Sequence, residues 1–329
     1  MRVRIRWGGI RVLLIFILAT LMLAACNDSS DDKAGGNSTT SETFKISVTT
    51  PILGSLTREL VQETAEVTVI MPNGIDPHSF SASAKQVAQM TKANLLIING
   101  RNLEEGLAGA IKQAERAGVP VFTATDHAPI RQNTDTSNNS AQDPHNSAQD
   151  PHNSAQDPHN SAQDPHIWLD PIAMKSVISA LAEELSALGL HLSNRTDSLL
   201  SALDKIDAEI RSLLANIPPK NRVIVTDHSS FGYFADRYGF TISGVLVDSL
   251  SSQAETSAAH LAELIEKIEE FSVPAIFIGE TTSPALAKQV EKETGAHVVS
   301  VPVTALPEDR SYFSYIREIA LRFSENLSA

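Results

Sequence analysis

From about Ser193 to Ile217 the chain carries a single long apolar stripe. Leu199, Leu203, Ile206, Ile210, Leu213 and Ile217 recur at alternating four- and three-residue spacing, and Pro218-Pro219 ends the run. As an α-helix it spans roughly 35–40 Å, enough to run the length of two domains. On both sides the pattern is of another kind, with short β-branched runs alternating with helical stripes. Alternation of this kind implies a mostly parallel sheet covered on both faces. The expected fold is therefore α/β, with two similar lobes of mostly parallel sheet joined by one long rigid helix.

Before the long helix, strands are expected at 44–49, 66–71, 95–99 and 119–123. Helices are expected at 52–63, 85–92 and 103–117, the last closed by Gly118. Met174, Val177, Ile178, Leu181, Leu185 and Leu188 mark a further amphipathic helix that ends at Gly189. After the long helix, strands are expected at 222–226, 241–247, 275–278 and 297–301. Helices are expected at 231–238, on the stripe Leu261, Leu264, Ile265, Ile268 and Phe271, at 284–294 and at 312–327.

The start of the chain reads as an export signal. Arg2, Arg4, Arg6 and Arg11 precede an uncharged apolar run, Val12 to Leu23, which is short for a membrane span. The run closes on Leu23-Ala24-Ala25-Cys26, the small residues and thiol that lipidation at Cys26 requires. The polar stretch that follows has no apolar periodicity and reads as a flexible tether. The resulting organisation is 1–25 signal peptide, 26–43 tether, 44–192 first lobe, 193–217 linking helix and 218–329 second lobe. Within the first lobe, 126–165 is a polar loop.

Cys26 is the one cysteine in the chain. No intramolecular disulfide can form, and after acylation no thiolate is left for metal binding, so a transition-metal site must use His, Asp and Glu. A formal net charge of −13 argues against nucleic acid as partner.

Three histidines stand apart by context. His78 and His166 share an Asp-Pro-His frame, in which proline fixes the preceding backbone and Asp76 or Asp164 can accept a ring N–H. His228 follows the strand expected at 222–226, and Glu280 follows the one at 275–278. Both therefore fall beyond strand carboxyl ends, where α/β folds gather ligands. Imidazoles with a carboxylate form a shell that suits zinc. His127, His191, His260 and His297 have no such context and read as surface or core residues.

Three patterns carry a resemblance: Gly-x-Asp-Pro-His-x-Phe at 74–80, Asp-Pro-His-x-Trp-Leu-Asp-Pro at 164–171, and His-x-x-Phe-Gly-Tyr-Phe at 228–234. From Phe44 on, the chain resembles the solute-binding lipoproteins of zinc and manganese ABC transporters. The resemblance implies a metal held between the lobes by His78, His166, His228 and an acidic residue at or near Glu280. It implies an ABC permease and its ATPase as partners, a lipid-anchored extracytoplasmic protein acting as a monomer, and a binding role without enzymatic activity. Manganese-selective members tend to carry a carboxylate where this chain has His228, so the resemblance points to Zn2+ as the transported ligand, with Mn2+ as the alternative.

Residues 139–166 are four copies of Asn-Ser-Ala-Gln-Asp-Pro-His, and the last histidine is His166 itself. The earlier copies, with His145, His152 and His159, read either as a weak metal collector or as a duplication without function. Two rival functions use the same ligand chemistry: an exported metallohydrolase and a metal-dependent surface adhesin. No general base stands beside the cluster and no nucleophile elbow occurs. Three histidines and a carboxylate would also fill the position a catalytic zinc keeps open.

Overall fold

The computed structural model describes residues 43–131, 163–280 and 282–328. The expected signal peptide, Cys26, most of the tether and the repeats up to residue 162 lie outside the described residues. None of the described helices is long and apolar enough to cross a membrane.

The first lobe runs β1 (Phe44–Val48), α1 (Pro51–Val61), β2 (Ala65–Val69), α2 (Ala84–Met90), β3 (Leu95–Ile98), α3 (Ala108–Arg116) and β4 (Val121–Thr123). Next come α4 (Pro171–Ala187) and the long α5 (Ser193–Leu214). The second lobe is β5 (Val223–Thr226), α6 (Gly232–Tyr238), β6 (Thr241–Val245), α7 (Ala258–Glu270), β7 (Ala275–Ile278), α8 (Pro284–Thr294), β8 (His297–Ser300) and α9 (Tyr312–Leu327).

Both sheets are wholly parallel and have the same topology, β2-β1-β3-β4 and β6-β5-β7-β8. In each, the first strand lies inside, with its successor on one side and the third strand on the other. This order reverses direction beside β1 and β5 and opens a crevice at their carboxyl ends. Strands covered on both faces need no alternation, and β7, Ala-Ile-Phe-Ile, is buried at every position.

The expected two-lobed α/β fold is the observed one. The 3.6-residue stripe of α5 explains the join. Leu199, Leu203, Ile206, Ile210 and Leu214 are buried in one continuous core that also holds Ile46 and Val48 of the first sheet and Phe277 of the second. The outer face of each sheet has its own smaller cluster, under α2 and α3 in one lobe and under α7 and α8 in the other. With 22 residues α5 is about 33 Å long. It packs on α1, α4 and α9 and is pinned at two polar points. Asp207 accepts from Arg237 of α6 at 2.8 and 2.7 Å, and Glu209 pairs with Arg317 of α9 at 2.5 and 2.9 Å.

Expected and observed elements differ mainly at their ends. The helix expected at 103–117 begins as a 3-10 turn, Glu105–Leu107, and becomes α-helical at Ala108. Glu104, fully inside, holds that turn by accepting from Thr49 Oγ1 and from the amides of Asn99 and Gly100.

Candidate metal centre

The three histidines meet where the lobes face each other. His78 lies in the loop after β2, His166 just before α4 and His228 just after β5. Their ring centroids are 5.1 to 6.1 Å apart. All three are buried, and one ring nitrogen from each lies within 4.8 Å of the others.

The Asp-Pro-His-x-Trp-Leu-Asp-Pro sequence divides its work residue by residue. Asp164 is inaccessible, and its Oδ1 accepts from both the backbone N–H of His166 at 2.9 Å and the ring Nδ1 at 2.8 Å. The amide of Asn99 donates to the Pro165 carbonyl at 2.9 Å and fixes the turn. Trp168 sets its ring edge-on to His166 at 5.3 Å and donates to the Val303 carbonyl and to Tyr315 of α9. Asp170 caps α4 by accepting from Ile172 N at 2.7 Å, and Pro171 opens the helix where no N–H is required.

His228 is held in the same manner by its immediate neighbour. Asp227 Oδ1 accepts from His228 N at 2.8 Å and Nδ1 at 3.0 Å, while Oδ2 accepts from Gly279 N and Thr282 Oγ1. The sequence reading missed this partner. The signal was an aspartate directly before the histidine at a strand end.

His78 differs. Asp76 Oδ1 caps its backbone N–H at 3.0 Å, but the expected bond from Asp76 to the ring is not made. Asp76 Oδ2 instead accepts from Ser252 Oγ at 2.5 Å and Gln253 Nε2 at 3.1 Å in the second lobe. Both ring nitrogens of His78 are buried without a hydrogen-bond partner. A second bridge between lobes joins Asn73 to Leu306, side-chain amide to backbone in both directions at 2.8 Å.

Glu280, the expected acidic ligand, stands apart from the three rings in this structure. Its carboxylate lies outside the histidine cluster. Oε2 accepts from Val303 N at 2.7 Å, and Oε1 accepts from Thr304 N and Oγ1 at 2.7 and 2.6 Å. The physical reason is local: the turn after β8 presents two unpaired amides within reach of a side chain leaving β7. Among the described residues no carboxylate joins the three rings. Of the other histidines, His260 bonds the Val245 carbonyl, His127 stacks on Phe122, and His297 lies exposed beside Glu291. His191 is exposed.

The electrostatics favour neutral rings at two of the three positions. Burial, then the nearby imidazoles, pushes His78 down to about 2. Burial also lowers His166, against the pull of Asp164. At His228 burial works downward as well, but the charge and hydrogen bond of Asp227, helped by Asp76 and Asp164, carry it above its ordinary value.

With Nδ1–H donated to Asp164 and Asp227, the Nε2 atoms of His166 and His228 present lone pairs to each other, and they stand 3.3 Å apart. Two lone pairs at that range require a proton or a cation between them. Zinc–nitrogen bonds of about 2.0–2.1 Å at the tetrahedral angle place two ligand nitrogens roughly 3.3–3.4 Å apart. The observed separation equals that distance.

Residues 46–326 match the family model described as zinc-uptake complex component A, periplasmic. Zinc-binding protein TroA of Treponema pallidum is 27% identical over 259 residues, covering 76% of this chain and 75% of TroA. The manganese ABC transporter substrate-binding lipoprotein PsaA of Streptococcus anginosus is 24% identical over 331 residues, covering 96% of this chain and 98% of PsaA. The solved structure of periplasmic TroA shares the fold with a TM-score of 0.71 at 23% identity, over 88% of this chain and 100% of TroA. The chain thus belongs to the zinc-uptake component A family, the solute-binding proteins of zinc and manganese ABC transporters.

Proposed function

We propose that this protein captures Zn2+ outside the cytoplasm and delivers it to the permease of an ABC transporter, with His78, His166 and His228 as the protein ligands. The observation that carries the reading is the 3.3 Å approach of two carboxylate-oriented Nε2 atoms. Relatives are named for zinc and for manganese alike, so the metal must be argued from the donors. Three imidazole nitrogens suit zinc, whereas manganese favours carboxylate, carbonyl and water oxygens.

The three histidines on their own match the ligand count of a catalytic zinc, and an acidic ligand at or near Glu280 would complete a closed shell. The family speaks against the hydrolase reading, since its members are solute-binding components of transporters. The adhesin reading has no observation of its own in its favour.

We further propose that Cys26 is acylated and anchors the mature chain to the membrane, with residues 26–43 as tether. Cys26→Ser should abolish labelling by a fatty-acid probe and release the protein from membranes. For the metal site, protein purified without chelator should carry zinc in preference to manganese on elemental analysis. Chelator competition should then show His228→Ala binding zinc at least about a hundredfold more weakly, as expected when one of three protein ligands is removed. Equal affinity of His228→Ala and the parent protein would overturn the ligand assignment.

A further inference from the structure

A histidine that binds a metal through one ring nitrogen nearly always donates the other N–H to a carboxylate, carbonyl or water. That partner fixes the tautomer and raises the basicity of the ligand. His166 and His228 have such carboxylates at 2.8 and 3.0 Å. The His78 ring has none within hydrogen-bond reach, and Asp76, the aspartate two residues before it, is turned away toward Ser252 and Gln253.

A different carboxylate lies beside that ring. Glu105 Oε1 is 3.6 Å from His78 Nδ1, too far for a hydrogen bond but roughly 0.7 Å beyond the usual distance. The backbone that carries Glu105 is held firmly. Leu103 and Leu107 are fully buried, and Glu104 is tied to Thr49, Asn99 and Gly100. Gly106 lies so close to the loop of His78 that a Cβ there would come within 2.3 Å of the Phe80 carbonyl oxygen. The Glu105 side chain, by contrast, is 38% exposed. A gap of this size is within the range of a side-chain rotation.

We propose that Glu105 is the positioning carboxylate of His78: in the metal-loaded protein it accepts the Nδ1–H and leaves Nε2 for the ion. The inference rests on the metal-site reading given above. A cation on Nε2 draws electron density from the ring and makes Nδ1–H a stronger donor, so loading and closure reinforce each other.

The test uses the whole mature chain, zinc, and the variants Glu105→Ala and Glu105→Gln. Nitrogen-15-labelled histidines in the zinc-loaded parent should give three slowly exchanging Nδ1–H signals. Glu105→Ala should retain two and lose zinc affinity about 10–100-fold, the usual cost of removing such a partner. Glu105→Gln, which still offers an acceptor oxygen, should restore the third signal and most of the affinity. Metal-free Glu105→Ala should melt with the parent, because the side chain is partly exposed and makes no hydrogen bond there. Three signals in Glu105→Ala, unchanged affinity, or only two signals in the parent would overturn the inference. Failure of the parent to bind zinc would instead bring down the site reading, and this inference with it.

Discussion

The triplet Asp-Pro-His occurs at both 76–78 and 164–166, and the two copies are wired differently. In each, the aspartate caps the backbone N–H of the histidine two residues on, at 3.0 and 2.9 Å. Asp164 also holds the ring, and its second oxygen faces Arg131 at 3.4 Å in a place closed to solvent. Asp76 reaches over to the opposite lobe. The triplet therefore fixes where the histidine backbone goes, while the surroundings decide what the remaining carboxylate capacity does. In the proposed site one copy positions a histidine ring, and the other sets its histidine on a loop that doubles as a clasp between lobes.

The largest effect expected from this difference comes from removing each aspartate in turn. Asp164→Ala frees the His166 ring and removes one of two carboxylates beside Arg131, which keeps Asp236 at 2.9 Å. Zinc affinity should fall by about 10–100-fold, and the metal-free protein should lose about 1–3 kcal/mol of stability, as when a buried hydrogen-bond partner is removed. Asp76→Ala removes partly exposed hydrogen bonds of about 0.5–1.5 kcal/mol each and no ring contact. Its equilibrium affinity should change by less than about tenfold. Chelator competition and urea midpoints measured on the two variants side by side would erase the distinction if they gave equal losses.

Acidification separates the rings by their partners. Protons compete with zinc for imidazole nitrogen, so affinity declines below the highest ligand pKa. That ligand is His228, raised by Asp227 against its burial, whereas His78 is lowered to about 2 and does not compete. A plot of log affinity against pH should therefore start to fall above the ordinary histidine value of about 6.5, by about one decade per pH unit. In Asp227→Asn, where the carboxylate charge is gone, the fall should begin at lower pH even though the plateau itself drops. An onset that does not move would mean that His228 is not the proton acceptor.

Much of this was legible in the sequence because the signals were local. Parallel strands buried on both faces appear as unbroken apolar runs, as in Ala275–Ile278, and α5 carries its stripe openly. The three histidines stood out because each sits in a turn sequence beyond a strand or before a helix. The partners of Glu280 were not legible, because spacing from a strand end says which crevice a residue enters, not which amides bind its carboxylate. Those of Val303 and Thr304 come from a turn more than twenty positions away. The different fates of Asp76 and Asp164 were hidden for the same reason, since Ser252, Gln253 and Arg131 are all distant in sequence.

A smaller effect is kinetic. The loop carrying His78 is tied to the second lobe at Asn73 and at Asp76, on the same side of the imidazole in the chain. Removing the Asp76 tie should let the lobes part more readily while the three ligands remain. Zinc release to excess chelator should then be several-fold faster in Asp76→Ala, with capture faster in proportion, so that the equilibrium constant barely moves. Release at the parental rate would show that the clasp does not limit exchange.

The smallest expected effect concerns the other three Asp-Pro-His triplets, those ending at His145, His152 and His159. They are identical in sequence to the triplet that ends at His166, the proposed ligand, so they test whether context or sequence makes the site. At His166 the context consists of Asn99 on the Pro165 carbonyl, Arg131 facing Asp164, and Trp168 against the ring. Each of these acts once and is already engaged by the last copy. Deleting 139–159 removes three complete copies and leaves Asn160 to His166 with all three partners. Tight-site affinity should be unchanged. Folding stability should shift by less than about 1 kcal/mol, because loop closure entropy varies only with the logarithm of length. If the upstream copies collect metal, calorimetry will lose weak zinc equivalents and nothing else. Identical stoichiometry in the two proteins would identify them as a duplication without metal function. Loss of the tight site would mean that an upstream histidine, not His166, is the ligand, and that context is not what distinguishes the copies.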